Sequence, residues 1–150
     1  TGVDDKSLEH KISIINRAID TNKPDPSDGL DVLVKIGGLE IGALAGAMLA
    51  TAAHNKPVIV DGFISGAAAL IASTLCPNSR LYFIASHNSV EPGHNIGLSD
   101  MGLKPLFDLE MRLGEGTGAT LAMPIIEASA KCLAEMATFA EAGVSGKEDD

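Results

Sequence analysis

The chain has 150 residues, of which 45% are hydrophobic, and it carries a formal net charge of −9. This composition supports one ordinary domain with a sizeable core and excludes disorder as the main state. The acidic balance argues against nucleic acid as a partner, and the longest apolar run, residues 41–53, is too short to span a bilayer. We therefore expect a soluble, cytoplasmic protein that acts on small metabolites.

The first predicted element is an amphipathic helix. Asp4 or Asp5 can cap it, and it ends before Pro24. Its apolar positions follow helical spacing, and they are Leu8, Ile12, Ile15 and Ile19. Because the chain opens with Thr1 rather than Met, we expect a truncated or processed start.

Two more helices are predicted after a linker at residues 21–29 that is rich in Pro, Asp and Gly. They cover about residues 30–36 and 39–54, and Gly37-Gly38 ends the first of them. Small residues recur at four-residue spacing in the second helix, at Gly42, Gly46 and Ala50. We expect this stripe to pack closely against a sheet.

The middle of the chain predicts a strand, a helix and a strand. A β-branched run at residues 58–60 is typical of a buried parallel strand, and a helix follows at about residues 65–75. Residues 81–85 predict the next buried strand, and residues 86–94 predict a polar loop. This order implies a right-handed parallel crossover.

The last third predicts a third strand and a final helix. Apolar residues alternate along residues 107–113, which favours a half-buried strand, and an Ala-rich helix is expected over about residues 118–140. Pro124 should kink that helix or mark its start. We expect the tail, residues 144–150, to be flexible.

The core is predicted to consist of close-packed small residues. Aromatic residues make up only 3% of the chain, whereas Ala and Gly are abundant. Cys76 and Cys132 lie in apolar surroundings and show neither a disulfide framework nor a CxxC spacing. We interpret them as buried thiols in a reducing compartment.

Polar residues follow each predicted strand, at Asp61-Gly62, at residues 86–89 and at residues 114–116. The carboxyl ends of parallel strands share one edge of a sheet, where α/β folds bind ligands. The sequence therefore predicts one crevice containing two carboxylates, a histidine and several hydroxyls.

Glu115 is the strongest candidate for chemistry in this crevice. It lies between Gly114 and Gly116 at a predicted strand-to-helix turn. An apolar approach would raise its pKa and make it a better proton acceptor near neutral pH. The alternative is a carboxylate that only stabilises a helix N-terminus. With Gly118 the glycines give GxGxG rather than GxGxxG, so a dinucleotide cofactor is not predicted.

Other polar residues have weaker signals. The spacing of His87 and His94 matches no common metal pattern, and we interpret both as solvated loop histidines. Ser86 and Ser89 lack the context of a catalytic serine and are candidates for hydrogen bonds to phosphate or ribose. Lys11 is either a surface charge or a phosphate ligand.

Five motifs in order carry a resemblance to a known family. They are TGVDD at residues 1–5, KIGGLEIGALAGAML at 35–49, PVIVDGFIS at 57–65, ASHNSVEPGH at 85–94 and LGEGTGATLAMP at 113–124. Together they closely resemble the C-terminal half of the nicotinate-nucleotide–dimethylbenzimidazole phosphoribosyltransferase family, and the similarity covers nearly the whole chain.

The resemblance implies an α/β fold, a Rossmann-like parallel sheet with flanking helices, assembled as a homodimer. Residues 1–150 would form the C-terminal portion of the family's α/β domain, so only part of the full family fold is expected. The implied reaction moves phosphoribosyl from nicotinate mononucleotide to 5,6-dimethylbenzimidazole in the nucleotide-loop branch of cobalamin biosynthesis. The products are α-ribazole 5′-phosphate and nicotinate. Neither a metal nor a cofactor is implied, because the substrate carries its own leaving group.

The resemblance also assigns roles to individual residues. Glu115 would take the proton from one benzimidazole nitrogen while the other attacks the anomeric carbon with inversion. Leu113 would line the base pocket, with Gly114 and Gly116 leaving room for the ring. Lys11 and Ser89 align with phosphate contacts, and Asp61 lies in the matching DGF motif.

The chain is shorter than family members, which leaves two alternatives open. It is either a fragment or a separate subunit that needs a partner chain. Its function is then either phosphoribosyl transfer or binding of a nucleotide or benzimidazole without turnover.

Overall fold

The computed structural model describes residues 4–112 and 115–144, in which helices alternate with short parallel strands. The elements are α1 Asp5–Asn22, α2 Gly29–Ile36, α3 Leu39–Ala53, β1 Val58–Val60, α4 Gly62–Leu75, β2 Phe83–Ala85, β3 His87–Ser89, α5 Pro92–Met101, β4 Phe107–Met111 and α6 Thr117–Glu135. The predicted α/β class is confirmed. Within the described residues, no helix is both long enough and apolar enough to cross a membrane.

Side-chain caps begin the first two helices, and the sequence predicted the first of them. The Asp4 carboxylate accepts a hydrogen bond of 2.8 Å from the Ser7 N–H at the start of α1. Asp28 accepts from Leu30 N at 2.9 Å and Asp31 N at 3.2 Å, in the first turn of α2. Each cap satisfies main-chain donors that have no partner within the helix.

The core lies between α3, α4, α5 and the strands, and small side chains dominate it. Alanines of α3 and α4 are buried against larger residues of the strands and α5, and the buried set is Ala45, Met48, Val60, Ala68, Ala69, Ala72, Phe83, Ala85, Leu98 and Met101. This close packing confirms the prediction made from the scarcity of aromatic residues.

The glycine stripe of α3 does not pack against a sheet as predicted. A Cβ atom added at Gly42 would lie 3.2 Å from the side chain of Leu33 in α2. One added at Gly46 would meet no atom of the described residues within 4 Å. The four-residue spacing places these residues on one helical face, but only part of that face is in contact.

Two parallel pairs of strands replace the single predicted sheet. β1 pairs with β2 through Val58 and Phe83, and β3 pairs with β4 through His87 and Phe107. Ser86 joins the two pairs, because its N–H donates to the Val60 carbonyl and its own carbonyl accepts from Phe107 N, both at 3.0 Å. The segment from β2 to β3 therefore runs between β1 and β4.

The predicted polar loop at residues 86–94 is wrong. These residues form β3 and the start of α5, which has Pro92 in its first turn. His87 and His94 are only 1% and 2% exposed, so neither is a solvated loop histidine. Nδ1 of each ring contacts a neighbouring group of the fold, whereas Nε2 of His94 is buried without a hydrogen-bond partner among the described residues.

Several smaller predictions also fail. Cys76 and Cys132 are free and exposed rather than buried. Strand β2 begins at Phe83, because a 3₁₀ helix, Pro77–Tyr82, occupies the start of the predicted strand. Two other predictions are tested only in part. Pro124 lies inside α6, so it does not mark the start of the helix, and the kink stays a prediction. The flexible tail also stays a prediction, because the residues from position 145 onward lie outside the described ones.

Candidate functional site

A crevice of about 980 Å³ lies beside the carboxyl end of β1. Five of the predicted site residues line it, and they are Lys11, Asp61, Ser89, Glu115 and Gly116. Ser86 is completely buried and is not among the lining residues. Leu113 and Gly114, the other predicted site residues, lie outside the described residues.

Asp61 links three segments of the chain at this crevice. It directly follows β1, and its carboxylate accepts hydrogen bonds from Gly116 N and, at 3.1 Å, from Ala119 N. Gly116 is the N-cap residue of α6 and has no side chain that could cap the helix. Asp61 therefore caps α6 from a position 55 residues earlier in the sequence.

His87 lies on the other side of this carboxylate. Its Nδ1 is 3.2 Å from Asp61 Oδ1 and 3.0 Å from Ser86 Oγ. The Ser86 hydroxyl also lies 3.0 Å from the Val60 carbonyl, to which it can donate its single proton. Because an ionised carboxylate has no proton to give, we assign a proton to Nδ1 of His87, which then donates to Asp61 or Ser86.

The first turn of α6 lies very close to this cluster. A Cβ atom added at Gly118 would lie 2.5 Å from Asp61 Oδ1 and 2.8 Å from His87 Cε1, with His87 Nδ1 nearer still. Contacts of this kind normally begin at 3.4 Å. Only glycine allows the helix to come this close to the two side chains.

Glu115 lies in the turn that precedes α6. Its backbone has a φ of 44°, in the left-handed region that disfavours residues with a side chain, and Gly116 follows with a φ of 88°. The side chain of Glu115 is exposed at the crevice, so the apolar burial predicted for it is absent. The carboxylate is thus accessible to a ligand, on a turn of unusual backbone geometry.

Ser89 is held by residues of the following turn and helix. Its N–H donates to His94 Nδ1 at 3.0 Å, and its hydroxyl accepts from Glu91 N at 3.3 Å. Burial, followed by the nearby His87 ring, lowers the pKa of His94, while Asp61 acts in the opposite direction. A neutral His94 ring is required for this hydrogen bond, because a protonated Nδ1 has no lone pair to accept it.

The remaining lining combines apolar side chains with a lysine and a glutamate. Leu44 and Met48 of α3 and Phe63 of α4 contribute apolar side chains. Lys11 of α1 contributes the ammonium group, and Glu91 is an acidic lining residue that the sequence did not point to. A crevice with apolar walls and a few polar groups suits a ligand with an aromatic ring and an anionic group.

The sequence interpretation missed the structural roles of His87 and His94. Their burial was hidden because histidine is counted as polar in a hydropathy pattern. The position of His87, two residues after a buried strand, did lead the sequence analysis to place a histidine in the crevice, and His87 lines it. Its interpretation as a solvated loop residue was wrong.

Comparisons with known proteins identify the family. The phosphoribosyltransferase family DBI_PRT matches residues 1–144. The nicotinate-nucleotide–dimethylbenzimidazole phosphoribosyltransferase of Desulforamulus reducens is 62% identical over 145 residues, which are 97% of this chain and 41% of that protein. The enzyme of the same name from Chloroflexus aggregans is 61% identical over 149 residues, 99% of this chain and 42% of the relative.

A solved structure agrees with these matches. The crystal structure of CobT from Thermus thermophilus matches with a TM-score of 0.88 and 44% identity, over 97% of this chain and 43% of that one. The chain therefore spans about two fifths of the length of the relatives that it matches. The chain belongs to the nicotinate-nucleotide–dimethylbenzimidazole phosphoribosyltransferase family.

Proposed function

We propose that this chain takes part in phosphoribosyl transfer from nicotinate mononucleotide to 5,6-dimethylbenzimidazole, giving α-ribazole 5′-phosphate and nicotinate. The main support is the crevice, which gathers an accessible carboxylate, an ammonium group and a hydroxyl around apolar walls in a member of this family. The reaction belongs to the nucleotide-loop branch of cobalamin biosynthesis.

Glu115 is the proposed proton acceptor. One benzimidazole nitrogen attacks the anomeric carbon of the ribose, and the bond from that carbon to nicotinate breaks with its electron pair leaving on the pyridine nitrogen. The other benzimidazole nitrogen gives its proton to the Glu115 carboxylate. A base placed within hydrogen-bond reach of this proton lowers the barrier, because positive charge would otherwise build up on the ring.

Lys11 and Ser89 are the proposed contacts of the 5′-phosphate. Both line the crevice, and an ammonium group and a hydroxyl are donors that suit phosphate oxygens. His94 fixes the main chain of Ser89, which keeps its hydroxyl in place. The apolar side chains of α3 and α4 would contact the flat base.

The second candidate is binding without turnover. It is favoured by the exposure of Glu115 and by the fact that the chain spans about two fifths of its relatives' length. In this alternative the crevice holds a nucleotide or a benzimidazole, and Glu115 has no proton to accept.

Activity is tested on two proteins, the 150-residue chain alone and a hybrid enzyme. In the hybrid, this chain replaces the matching 145 residues of the D. reducens relative. Each is incubated with both substrates, and α-ribazole 5′-phosphate is measured by chromatography. Turnover by either protein supports transfer. Ligand binding by the chain without turnover in either protein supports the binding module.

The role of Glu115 is tested with Glu115→Gln in the hybrid. Loss of a general base lowers kcat by about 10²- to 10⁴-fold. Glu127→Gln is the matched control, since Glu127 is an exposed carboxylate of α6 that pairs with Lys131 outside the crevice. A kcat for Glu115→Gln equal to that of the control rules out the proton-acceptor role.

We further propose that the protein works in the cytoplasm as a homodimer. The apolar stripe of α1 supports the dimer, because its four members are between 41% and 53% exposed: Leu8, Ile12, Ile15 and Ile19. An exposed stripe of this kind marks an interaction surface. Sedimentation analysis of the hybrid tests the dimer. We expect Ile12→Lys to give monomers, and Leu133→Lys on α6 is the control.

The cytoplasmic location is supported by Cys76 and Cys132, because free and exposed thiols fit a reducing compartment.

A further inference from the structure

We propose that Asp61 and His87 are positioning residues that hold the Glu115 turn, with Asp61 capping α6 and His87 fixing the Asp61 carboxylate. This inference rests on the proposed function for its kinetic consequence. It differs from the sequence prediction, in which Asp61 binds substrate. The geometry assigns the oxygens of Asp61 to the protein itself, because each of them accepts a hydrogen bond from the start of α6.

The first step of the argument is the missing local cap. A helix leaves its first main-chain N–H groups without partners, and α6 has a glycine where a capping side chain would normally be. Asp61 satisfies two of these donors and places a negative charge at the positive end of a 19-residue helix. Without Asp61, the start of α6 loses its cap.

The second step concerns Glu115 itself. A glutamate with a left-handed backbone is under strain, and such a conformation persists only when neighbouring contacts impose it. The N–H of the next residue, Gly116, donates to Asp61 Oδ2. This bond fixes the peptide plane that joins Glu115 to Gly116, and with it the direction in which the Glu115 side chain leaves the turn.

The third step concerns His87. Its ring is 1% exposed, and its Nδ1 contacts the carboxylate oxygen that also accepts from Ala119 N. Gly118 brings α6 against both side chains, so the carboxylate has little room to rotate. His87 also lines the crevice, and its contact with Asp61 is the path by which it acts on the Glu115 turn.

The consequence is specific to catalysis. A displacement of about 1 Å at a reacting group lowers the rate about 100-fold, because the acceptor no longer lies in line with the proton. A positioning role predicts a lower kcat with the KM for nicotinate mononucleotide nearly unchanged. A substrate-binding role for Asp61 predicts a higher KM instead.

The kinetic test uses His87→Leu, His87→Asn and Asp61→Asn in the hybrid enzyme. Leucine removes the donor, and we expect kcat to fall about 100-fold. Asparagine can place an N–H near the position of Nδ1, and we expect His87→Asn to recover most of the rate. Leu98→Ala is the control for lost stability, since Leu98 is 1% exposed in the core and outside the crevice. Unchanged kcat in His87→Leu and Asp61→Asn, or a change in KM alone, overturns the inference.

Amide hydrogen exchange in the 150-residue chain gives a second readout that needs no turnover. We expect the Gly116 and Ala119 amides to exchange at least about tenfold faster in Asp61→Ala than in the unsubstituted chain, because they lose their acceptor. Exchange should also be faster in His87→Leu than in His87→Asn. The same rates in all of these proteins overturn the inference. If the hybrid is inactive while the amides of the 150-residue chain follow the expected order, the proposed function is refuted but the positioning of the turn is not.

Discussion

Gly118→Ala is the substitution that tests the packing of the site most directly. It adds one carbon atom where the first turn of α6 meets Asp61 and His87. The added Cβ would lie 2.5 Å from Asp61 Oδ1, whereas ordinary contact begins at 3.4 Å. The shortfall is about 0.9 Å for this oxygen and is larger for His87 Nδ1, which would lie nearer still. Both side chains are tied to other groups, so either the helix start or both side chains must move by at least this distance.

The size of the effect follows from two opposing terms. Overpacking of a tight site costs about 1–3 kcal/mol of unfolding free energy. Replacing glycine by alanine in a helix contributes up to about 1 kcal/mol in the other direction. Gly46→Ala in α3 has only the second term, because within the part of the chain that the structure describes its Cβ would meet nothing within 4 Å. The difference in stability between the two variants therefore measures the overpacking cost, about 1–3 kcal/mol.

Urea denaturation of both variants beside the unsubstituted chain supplies the measurement. We expect Gly46→Ala to unfold at a higher urea concentration than the unsubstituted chain, and Gly118→Ala to unfold at a lower concentration than Gly46→Ala. At about 2–4 °C per kcal/mol for a chain of this size, the melting temperatures of the two variants should differ by roughly 2–12 °C. If Gly118→Ala is as stable as Gly46→Ala, the close approach described at Gly118 is wrong.

Three further results are expected from the chain alone. Asp28→Ala removes the cap of α2 and should lower the unfolding free energy by about 1 kcal/mol in urea denaturation; no change would contradict the capping bonds. The folded-state pKa of His94 lies below its ordinary value, so His94 contributes stability at neutral pH that is lost as the pH falls below about 6.5. Unfolding free energies at about pH 7.5 and about pH 5, on either side of the ordinary histidine pKa, should differ less in His94→Asn than in the unsubstituted chain, and equal differences would refute this. Cys76 and Cys132 should both react with a thiol reagent without denaturant, whereas slow reaction would mean that they are protected.

The sequence predicted the helices that carry strong local signals. Asp4 was a predicted cap and it caps α1, whereas Asp28, which caps α2 in the same way, had been assigned to a linker. A cap acts within its own first turn, so the residues that decide it are adjacent in the sequence. Strand β1 was predictable for a similar reason, because a short run of β-branched residues between Pro57 and Asp61 favours a strand over other local structures.

The helix α5 was missed because a histidine belongs to its buried face. His94, Leu98 and Met101 follow helical spacing and are all buried. The sequence interpretation counted His94 as polar and gave weight to Pro92 and Gly93 as signs of a loop. Proline is well tolerated in the first helical turn, which is where Pro92 lies. The helical period is present in the sequence, but it becomes visible only when histidine is allowed as a core residue.

Apolar periodicity also predicted buried faces on α1 and β4, but these faces are largely exposed in the described residues. The α1 stripe has the predicted helical period, yet Ile15 is 53% exposed. In β4 the alternation predicted a half-buried strand, and the strand is present, but Leu109 is 58% exposed. The period shows which face of a helix or strand is apolar. Whether that face is buried depends on which other residues pack against it. For α1, the proposed homodimer would supply these residues.

The site shows why residue types alone assign roles incompletely. Residue type and position after β1 placed Asp61 at the predicted crevice, which it lines, and a carboxylate beside a crevice suggests a ligand contact. Its hydrogen bonds reach Gly116 and Ala119, 55 and 58 residues later in the chain. A pattern within one segment cannot reveal a cap supplied by another. The glycine at the start of α6 was the available signal, since a helix that lacks a local cap needs an acceptor from elsewhere or from solvent. In this fold Asp61 supplies the cap that the sequence of α6 lacks, and this contact determines the direction of the Glu115 side chain.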